Sequence, residues 1–270
     1  SSDLFGSPNL AGVWPVKLWL SPEADALDPL RDLDRLASRL HAAALNGAEF
    51  FALPVIDNGH ALEWALACFH SPLILVPLPE NLPDPIMRAR LSQLPGKVVF
   101  PSDLPPGSQS VAPGPKRKGL DQTWAVVFTS GTSGSPKGVA ISGSAFCASA
   151  HGHVVASGLA KATWLLNLPL YHVGGLSVLT RAFFLDSDIC IGSSRFSSEE
   201  SARWIRSGRV EGVSLVSTTL KRLLDLKDLS FSHLKIALLG GGPCPQSLSR
   251  EALARGVPLR LTYEIGRAHV

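Results

Sequence analysis

The sequence predicts an α/β protein. Helical and strand-like patterns alternate along most of its 270 residues, which is the signature of that class. One stretch, residues 50–78, reads as strand, helix, strand. The composition supports a sizeable core, with 45% hydrophobic and 17% charged residues.

Taken in order, Asp28 is placed to cap a first helix with Pro29 in its first turn. Leu30, Leu33, Leu36 and Leu40 mark its apolar face, and Asn46-Gly47 ends it. Phe50 to Ile56 reads as a buried strand, Asn58 as the cap of a helix running through Phe69, and Leu73 to Leu78 as another apolar strand. Together these make a βαβ unit. Pro83 to Leu94 suggests a further helix and Val98 to Phe100 a short strand. Pro101 to Gly119 is rich in Pro, Gly and Ser, so a loop is expected there, at the seam between subdomains 1–119 and 120–263. Strands at Trp124–Thr129 and Val139–Ser142 then flank a Gly/Ser/Thr loop, and a helix starts near Ser144. Trp164–Leu168 is a strand, Gly174–Phe184 a helix and Asp188–Ile191 a strand. Val213–Val216 and Ile236–Leu239 are short apolar strands, each followed by a helical pattern. The six tryptophans are dispersed and read as core.

Several function classes are disfavoured at this level. A net charge of +3, from 25 Lys and Arg against 22 Asp and Glu, is too weak and scattered for a nucleic-acid or anionic-membrane partner. The basic cluster Lys116-Arg117-Lys118 is expected to be a solvated part of the loop. Cys68, Cys147, Cys190 and Cys244 lie far apart without CxxC spacing. That argues against a zinc site or disulfide scaffold and fits a reducing compartment, so a cytoplasmic location is expected. No run reaches the ~18 apolar residues of a membrane span. Residues 61–78 come nearest but contain Glu63, His70 and Pro72. His151-Gly152-His153 has His-x-His spacing with no carboxylate or third ligand beside it, and no metal is assigned there.

The chemistry is carried by Thr129-Ser130-Gly131-Thr132-Ser133-Gly134-Ser135-Pro136-Lys137-Gly138. Glycines let backbone N–H groups converge on an anion, hydroxyls add donors, and Lys137 adds a full positive charge. Such a loop suits a polyphosphate, though Gly-Lys-Ser/Thr opening a helix is absent and the P-loop pattern is not met. Composition alone leaves a flexible Ser/Gly hairpin open as the alternative.

The same string resembles the phosphate-binding signature of the AMP-forming acyl-CoA synthetases, the adenylate-forming superfamily, written Thr-Ser-Gly-Thr-Thr-Gly-x-Pro-Lys-Gly. Only Ser133 departs, and it keeps a hydroxyl. Leu168-Pro169-Leu170-Tyr171-His172 resembles the family's Pro-Leu-Phe-His motif, and Leu215-Val216-Ser217-Thr218 its Val-Pro-Thr strand end, with Ser217 in place of proline. Leu239-Gly240-Gly241-Gly242-Pro243 resembles the Gly-Gly-Ala/Gly-Pro segment, and with Leu261-Thr262-Tyr263 the likeness spans roughly Asp28 to Tyr263. The Leu-Gly-Gly-Gly-Pro-x-Pro and His-Val-Gly-Gly-Leu-Ser runs are most similar to the o-succinylbenzoate–CoA ligases of menaquinone biosynthesis.

The resemblance implies the large N-terminal domain of that fold, with mixed sheets flanked by helices in layers and no small C-terminal domain. It implies joining of a small-molecule carboxylic acid to ATP with Mg²⁺, then transfer of the acyl group to coenzyme A. Thr129, Ser130, Gly131, Thr132, Ser133, Gly134 and Lys137 would hold the β and γ phosphates. His172 would lie beside the acyl carboxylate and pantetheine tunnel, and Gly240, Gly241, Gly242 and Pro243 against the adenine and acyl group. Tyr263 would lay its ring on the adenine, and Thr218 would contact the acyl or phosphate end. Another acid, a carrier-protein acceptor, and a non-catalytic nucleotide-binding or scaffold protein remain open alternatives.

The sequence opens with Ser1-Ser2 in place of methionine, so a native start upstream is expected. After Tyr263 the family continues Gly-x-Thr-Glu, whereas this chain reads Glu264-Ile265-Gly266-Arg267-Ala268-His269-Val270. Ile265 to Val270 resembles the translation of a common sequencing adapter, ATC GGA AGA GCA CAC GTC. Residues 264–270 are therefore expected to be a non-native tail on a truncated, inactive piece of a longer enzyme.

Overall fold

The computed structural model describes residues 17–23, 33–105, 118–129 and 136–262. In chain order these form β1 (Leu18–Trp19), α1 (Leu33–Leu45), β2 (Ala48–Val55), α2 (Asn58–Phe69), β3 (Ile74–Pro79), α3 (Asp84–Leu91) and β4 (Lys97–Val99). They continue with β5 (Thr123–Thr129), β6 (Lys137–Ser142), α4 (Gly143–Ser157), β7 (Trp164–Leu166), α5 (Val173–Leu185) and β8 (Ile189–Ile191). Last come α6 (Ser198–Arg206), β9 (Gly212–Val216), α7 (Ser217–Asp225), β10 (Ile236–Gly240), α8 (Gln246–Ala254) and β11 (Leu259–Leu261). The chain forms two compact units. Of the described residues, one unit holds 33–145 and 170–173, the other 17–23, 146–169 and 174–262.

The first unit is built on a mixed sheet in the order β4-β2-β3-β5-β6. The expected βαβ unit is present: β2 and β3 run parallel, with Phe50 opposite Ile74 and Val55 opposite Pro79. Neither strand alternates in polarity, because both faces of the sheet are covered. Phe50, Ala52, Val76, Leu78, Val126 and Phe128 make one core, against which Met87, Leu91 and Leu94 from α3 and the turn after it pack. The odd-numbered side chains of β2 point the other way, where Phe51 meets Trp64 of α2 at 5.3 Å between ring centroids.

Three expectations need correction in this unit. The cap of α2 is Asp57, whose carboxylate accepts from the His60 N–H at 2.8 Å; Asn58 is the first helical residue and is buried. Either residue type can cap a helix, and it is the extended backbone at Asp57 that decides. Lys118 is not solvated: it is buried, and its ammonium donates to the carbonyl of Leu73. Lys116 and Arg117 lie outside the described residues. The structural division also falls elsewhere than residue 119. β5 finds a parallel partner in β3, with Leu75 opposite Ala125, and β6 folds back antiparallel on β5. The Pro/Gly-rich stretch thus connects two elements of one unit, and the chain passes to the other between Ala145 and Phe146.

The second unit is a wholly parallel sheet ordered β1-β8-β7-β9-β10-β11. Parallel neighbours require long crossovers, supplied here by α5, α6, α7 and α8 between successive strands. Leu165, Val213, Leu215, Ala237 and Leu239 from the strands form its core with Trp204, Ile205, Leu220, Leu223 and Leu224 from α6 and α7. Three elements, β1, α6 and the three-residue β11, carry no sequence assignment above. β1 is only two residues long. α6 is announced by Ser197, whose hydroxyl accepts from the Glu200 N–H at 3.2 Å, and by the acidic Glu199 and Glu200 in its first turn.

Candidate nucleotide and acyl site

The hairpin β5–β6 carries the first group of candidate residues. Thr129 is the last residue of β5 and Lys137 the first of β6, and the two are register partners across the hairpin mouth. Ser130, Gly131, Thr132, Ser133 and Gly134 lie outside the described residues. Lys137 is exposed, and no carboxylate pairs with it among the described residues. An exposed ammonium with no carboxylate partner among the described residues is one that an anion can satisfy. The outer edge of β6 is held by Gln93, which had no sequence signal. Its amide donates to the Pro136 carbonyl at 2.9 Å and accepts from the Gly138 N–H at 3.1 Å.

His172 belongs to the same unit, in the turn that leads into α5. Its ring keeps solvent access and stands 4.6 Å from that of Tyr171. Partial desolvation lowers its pKa from the ordinary histidine value, and the charge of Arg90 adds to the shift. A neutral imidazole at pH 7 follows, able to donate and accept hydrogen bonds but not to act as a fixed cation. The following segment is sterically closed. A Cβ at Gly175 would collide with the carbonyl oxygen of Pro169 and lie 2.7 Å from that of Leu168, so only glycine fits there.

In the other unit β10 ends at Gly240, and Gly241 takes a left-handed φ of +69°. A side chain would disfavour that conformation, which follows directly on the end of β10. The Ser217 hydroxyl donates to the Pro243 carbonyl at 2.9 Å. The serine standing where the family has proline therefore ties the glycine turn to the start of α7. Thr218 is the next residue and is exposed. The Thr262 N–H donates to Leu239 at 2.8 Å, bringing the chain beside the end of β10; Tyr263 and residues 264–270 lie outside the described residues.

This unit also holds a residue that the sequence reading missed. Arg181, on α5, is buried, with its guanidinium over the Trp164 ring and one Nη donating to the Ser214 hydroxyl at 3.0 Å. Its Nε has no partner and no carboxylate pairs with it among the described residues. Burial pulls its pKa down to about 9. The signal was an arginine inside the apolar run Leu176–Leu185.

Comparison with known proteins decides the family, because the family described as AMP-binding enzyme matches residues 30–263. The chain belongs to the AMP-binding enzyme family. A 2-succinylbenzoate–CoA ligase of Bacillus pumilus is 28% identical over 251 residues, covering 86% of this chain and 51% of that protein. One of Bacillus licheniformis is 36% identical over 145 residues, or 53% of this chain and 30% of that protein. The O-succinylbenzoate coenzyme A synthetase of Bacillus subtilis, solved with ATP and magnesium, superposes with a TM-score of 0.79 at 23% identity over 93% of this chain and 57% of that one. That likeness establishes the fold expected from the resemblance, two sheets flanked by helices, of which one is mixed and the other wholly parallel. The chain spans about half the length of the curated relatives it matches.

Among the described residues no three His, Cys, Asp or Glu side chains gather as a metal site. Mg²⁺ that arrives on a polyphosphate keeps most of its waters and needs few protein ligands, so the exposed hairpin mouth is compatible with it. His151 and His153 have other contacts: His151 Nδ1 meets the Cys147 carbonyl at 2.9 Å, and His153 stands edge-on to Trp164 at 5.3 Å.

Proposed function

We propose that this chain is the ATP-handling part of an AMP-forming acid–CoA ligase whose acid is o-succinylbenzoate. The observation that carries the reading is the register pairing of Thr129 with Lys137. It brings together the two strand ends that flank the hydroxyl and glycine segment, with the exposed Lys137 at one of them. The relatives matched over most of this chain bear the name of that ligase.

In the first step a carboxylate oxygen attacks the α-phosphorus of ATP and pyrophosphate leaves. Two anions must approach, so the residues' task is to place and neutralise charge. The loop from Thr129 to Gly134 and Lys137 hold the β and γ phosphates. Mg²⁺ bound with ATP supplies further charge neutralisation. In the second step the thiol sulfur of coenzyme A attacks the acyl carbon and AMP departs. His172, neutral at pH 7, orients the acyl carboxylate in the first step by hydrogen bonding. In this reading Gly240–Pro243 would meet the adenine and the acyl group, Tyr263 would lay its ring on the adenine, and Thr218 would contact the acyl or phosphate end. o-Succinylbenzoate carries a second carboxylate that is not activated. Arg181, a buried cation with no counter-ion among the described residues, is suited to that charge.

Pyrophosphate release by the full-length protein tests the reading. Release that requires o-succinylbenzoate and is followed by its coenzyme A thioester is expected. Release only with a monocarboxylic aryl or fatty acid, or acyl transfer only to a carrier protein, would replace the acid or the acceptor assigned here.

A further inference from the structure

Gln93 follows α3 in an exposed turn. Besides its bonds to Pro136 and Gly138, its Nε2 contacts the Ala89 carbonyl at 3.2 Å, which ties the same amide to α3. The pattern is that of a parallel β-bridge made by a side chain. A partner N–H donates to the carbonyl before the bridged residue, and the partner C=O accepts from the N–H after it. Here the bridged residue is Lys137. Among the described residues β6 is the edge strand of its sheet, and no described strand pairs with these outward peptide groups. On its inner edge Lys137 is matched to Thr129. Its backbone is therefore pinned on both sides where the chain returns from the hydroxyl and glycine loop.

We propose that Gln93 is a positioning residue of the phosphate loop. By bridging the peptide groups on either side of Lys137 it fixes the direction from which the lysine ammonium and the returning limb of the loop meet a polyphosphate. The inference rests on the reading of that loop given above. An amide is the side chain this task needs. It donates and accepts from one planar group, whereas a carboxylate would set an oxygen against the Pro136 carbonyl. Water can satisfy both exposed peptide groups when the amide is gone. Loss of Gln93 should thus leave the fold intact and appear at the loop.

The test uses the full-length protein with Gln93→Ala, Gln93→Glu and, in parallel, Lys137→Ala. Gln93→Ala is expected to raise the KM for ATP about five- to tenfold, the loss of one to two modest hydrogen bonds. It should also speed hydrogen exchange at the Gly138 amide, with the KM for the acid and the unfolding midpoint unchanged. Gln93→Glu should do no better than Gln93→Ala. If Lys137→Ala weakens ATP use and Gln93→Ala does not, the positioning role is overturned while the phosphate loop stands. If neither variant affects ATP use, the phosphate-loop reading fails and this inference fails with it. If Gln93→Ala lowers the unfolding midpoint and raises both KM values together, Gln93 is a structural residue and the inference is likewise overturned.

Discussion

The guanidinium of Arg181 lies 4.1 Å from the centroid of the Trp164 ring, in a site where no described carboxylate neutralises it. A buried unpaired charge is costly to keep, and the aromatic face offsets only part of that cost. Arg181→Leu removes the charge at similar bulk. The variant is expected to fold as stably as the parent or more so, and to raise the KM for a diacid at least about tenfold, the scale of one charge-assisted hydrogen bond. ATP affinity should not move. Steady-state kinetics with o-succinylbenzoate and a matched monoacid read this directly; equal losses for both acids would contradict the assignment.

Lys137→Ala removes one charge-assisted contact to the polyphosphate, worth about 1.5–3 kcal/mol, or roughly ten- to a hundredfold in ATP affinity. Because Lys137 is exposed, the unfolding midpoint should stay within about a degree or two. Calorimetric titration with Mg·ATP and a thermal melt of the same sample check both halves.

His172→Ala is expected to slow adenylate or thioester formation while leaving folding intact, since the residue lies in a turn and retains solvent access. Stopped-flow pyrophosphate release and thioester formation separate the half-reactions. The depressed pKa adds a pH signature. The imidazole stays neutral above the ordinary histidine range near pH 6.5, so the wild-type rate should be level there and fall only at lower pH. The alanine variant should lack that fall. Parent-like rates in both half-reactions would remove His172 from the mechanism.

The sequence made the elements legible wherever a strand was buried on both faces or a helix carried one apolar stripe. β2, α2 and β3 are of this kind, and so are β9 and β10 with the helices after them. Legibility failed for three physical reasons. A two-residue strand such as β1 is too short to show any period. Adjacent Asp57 and Asn58 are chemically equivalent caps until the backbone is known. The division of the chain depended on which strand β5 pairs with, a long-range choice that a Pro/Gly-rich loop does not encode. Of the candidate site residues, Thr129, Lys137, His172 and the glycine turn could be named from sequence because their residue types fall in contiguous motifs. Gln93 and Arg181 escaped because their meaning comes from partners far along the chain, Pro136 and Gly138 for one and Trp164 and Ser214 for the other.

His153 makes stability depend on pH. It lies on α4 with its ring edge-on to Trp164 and its Nε2 3.5 Å from the Ser157 hydroxyl. Burial, followed by the Arg181 charge, pulls its pKa down to about 4. In the unfolded chain an ordinary histidine titrates near 6.5. Between these values the unfolded state binds a proton that the folded state does not, so stability rises with pH across the window. The contribution is fully present above about pH 6.5 and is lost as the pH falls toward 4. Allowing for the ring's partial exposure, the loss is about 1–2 kcal/mol. Carboxylates also titrate near pH 4, so the comparison must be between variants. His153→Leu should flatten the fall in urea-unfolding free energy between pH 6.5 and 4.5 relative to the parent. Arg181→Leu should flatten it partly, because removing the neighbouring charge lets His153 protonate at a higher pH. Parallel stability curves for parent and His153→Leu would show that the imidazole is as easily protonated folded as unfolded, and the pocket around Trp164 would then have to be open to water.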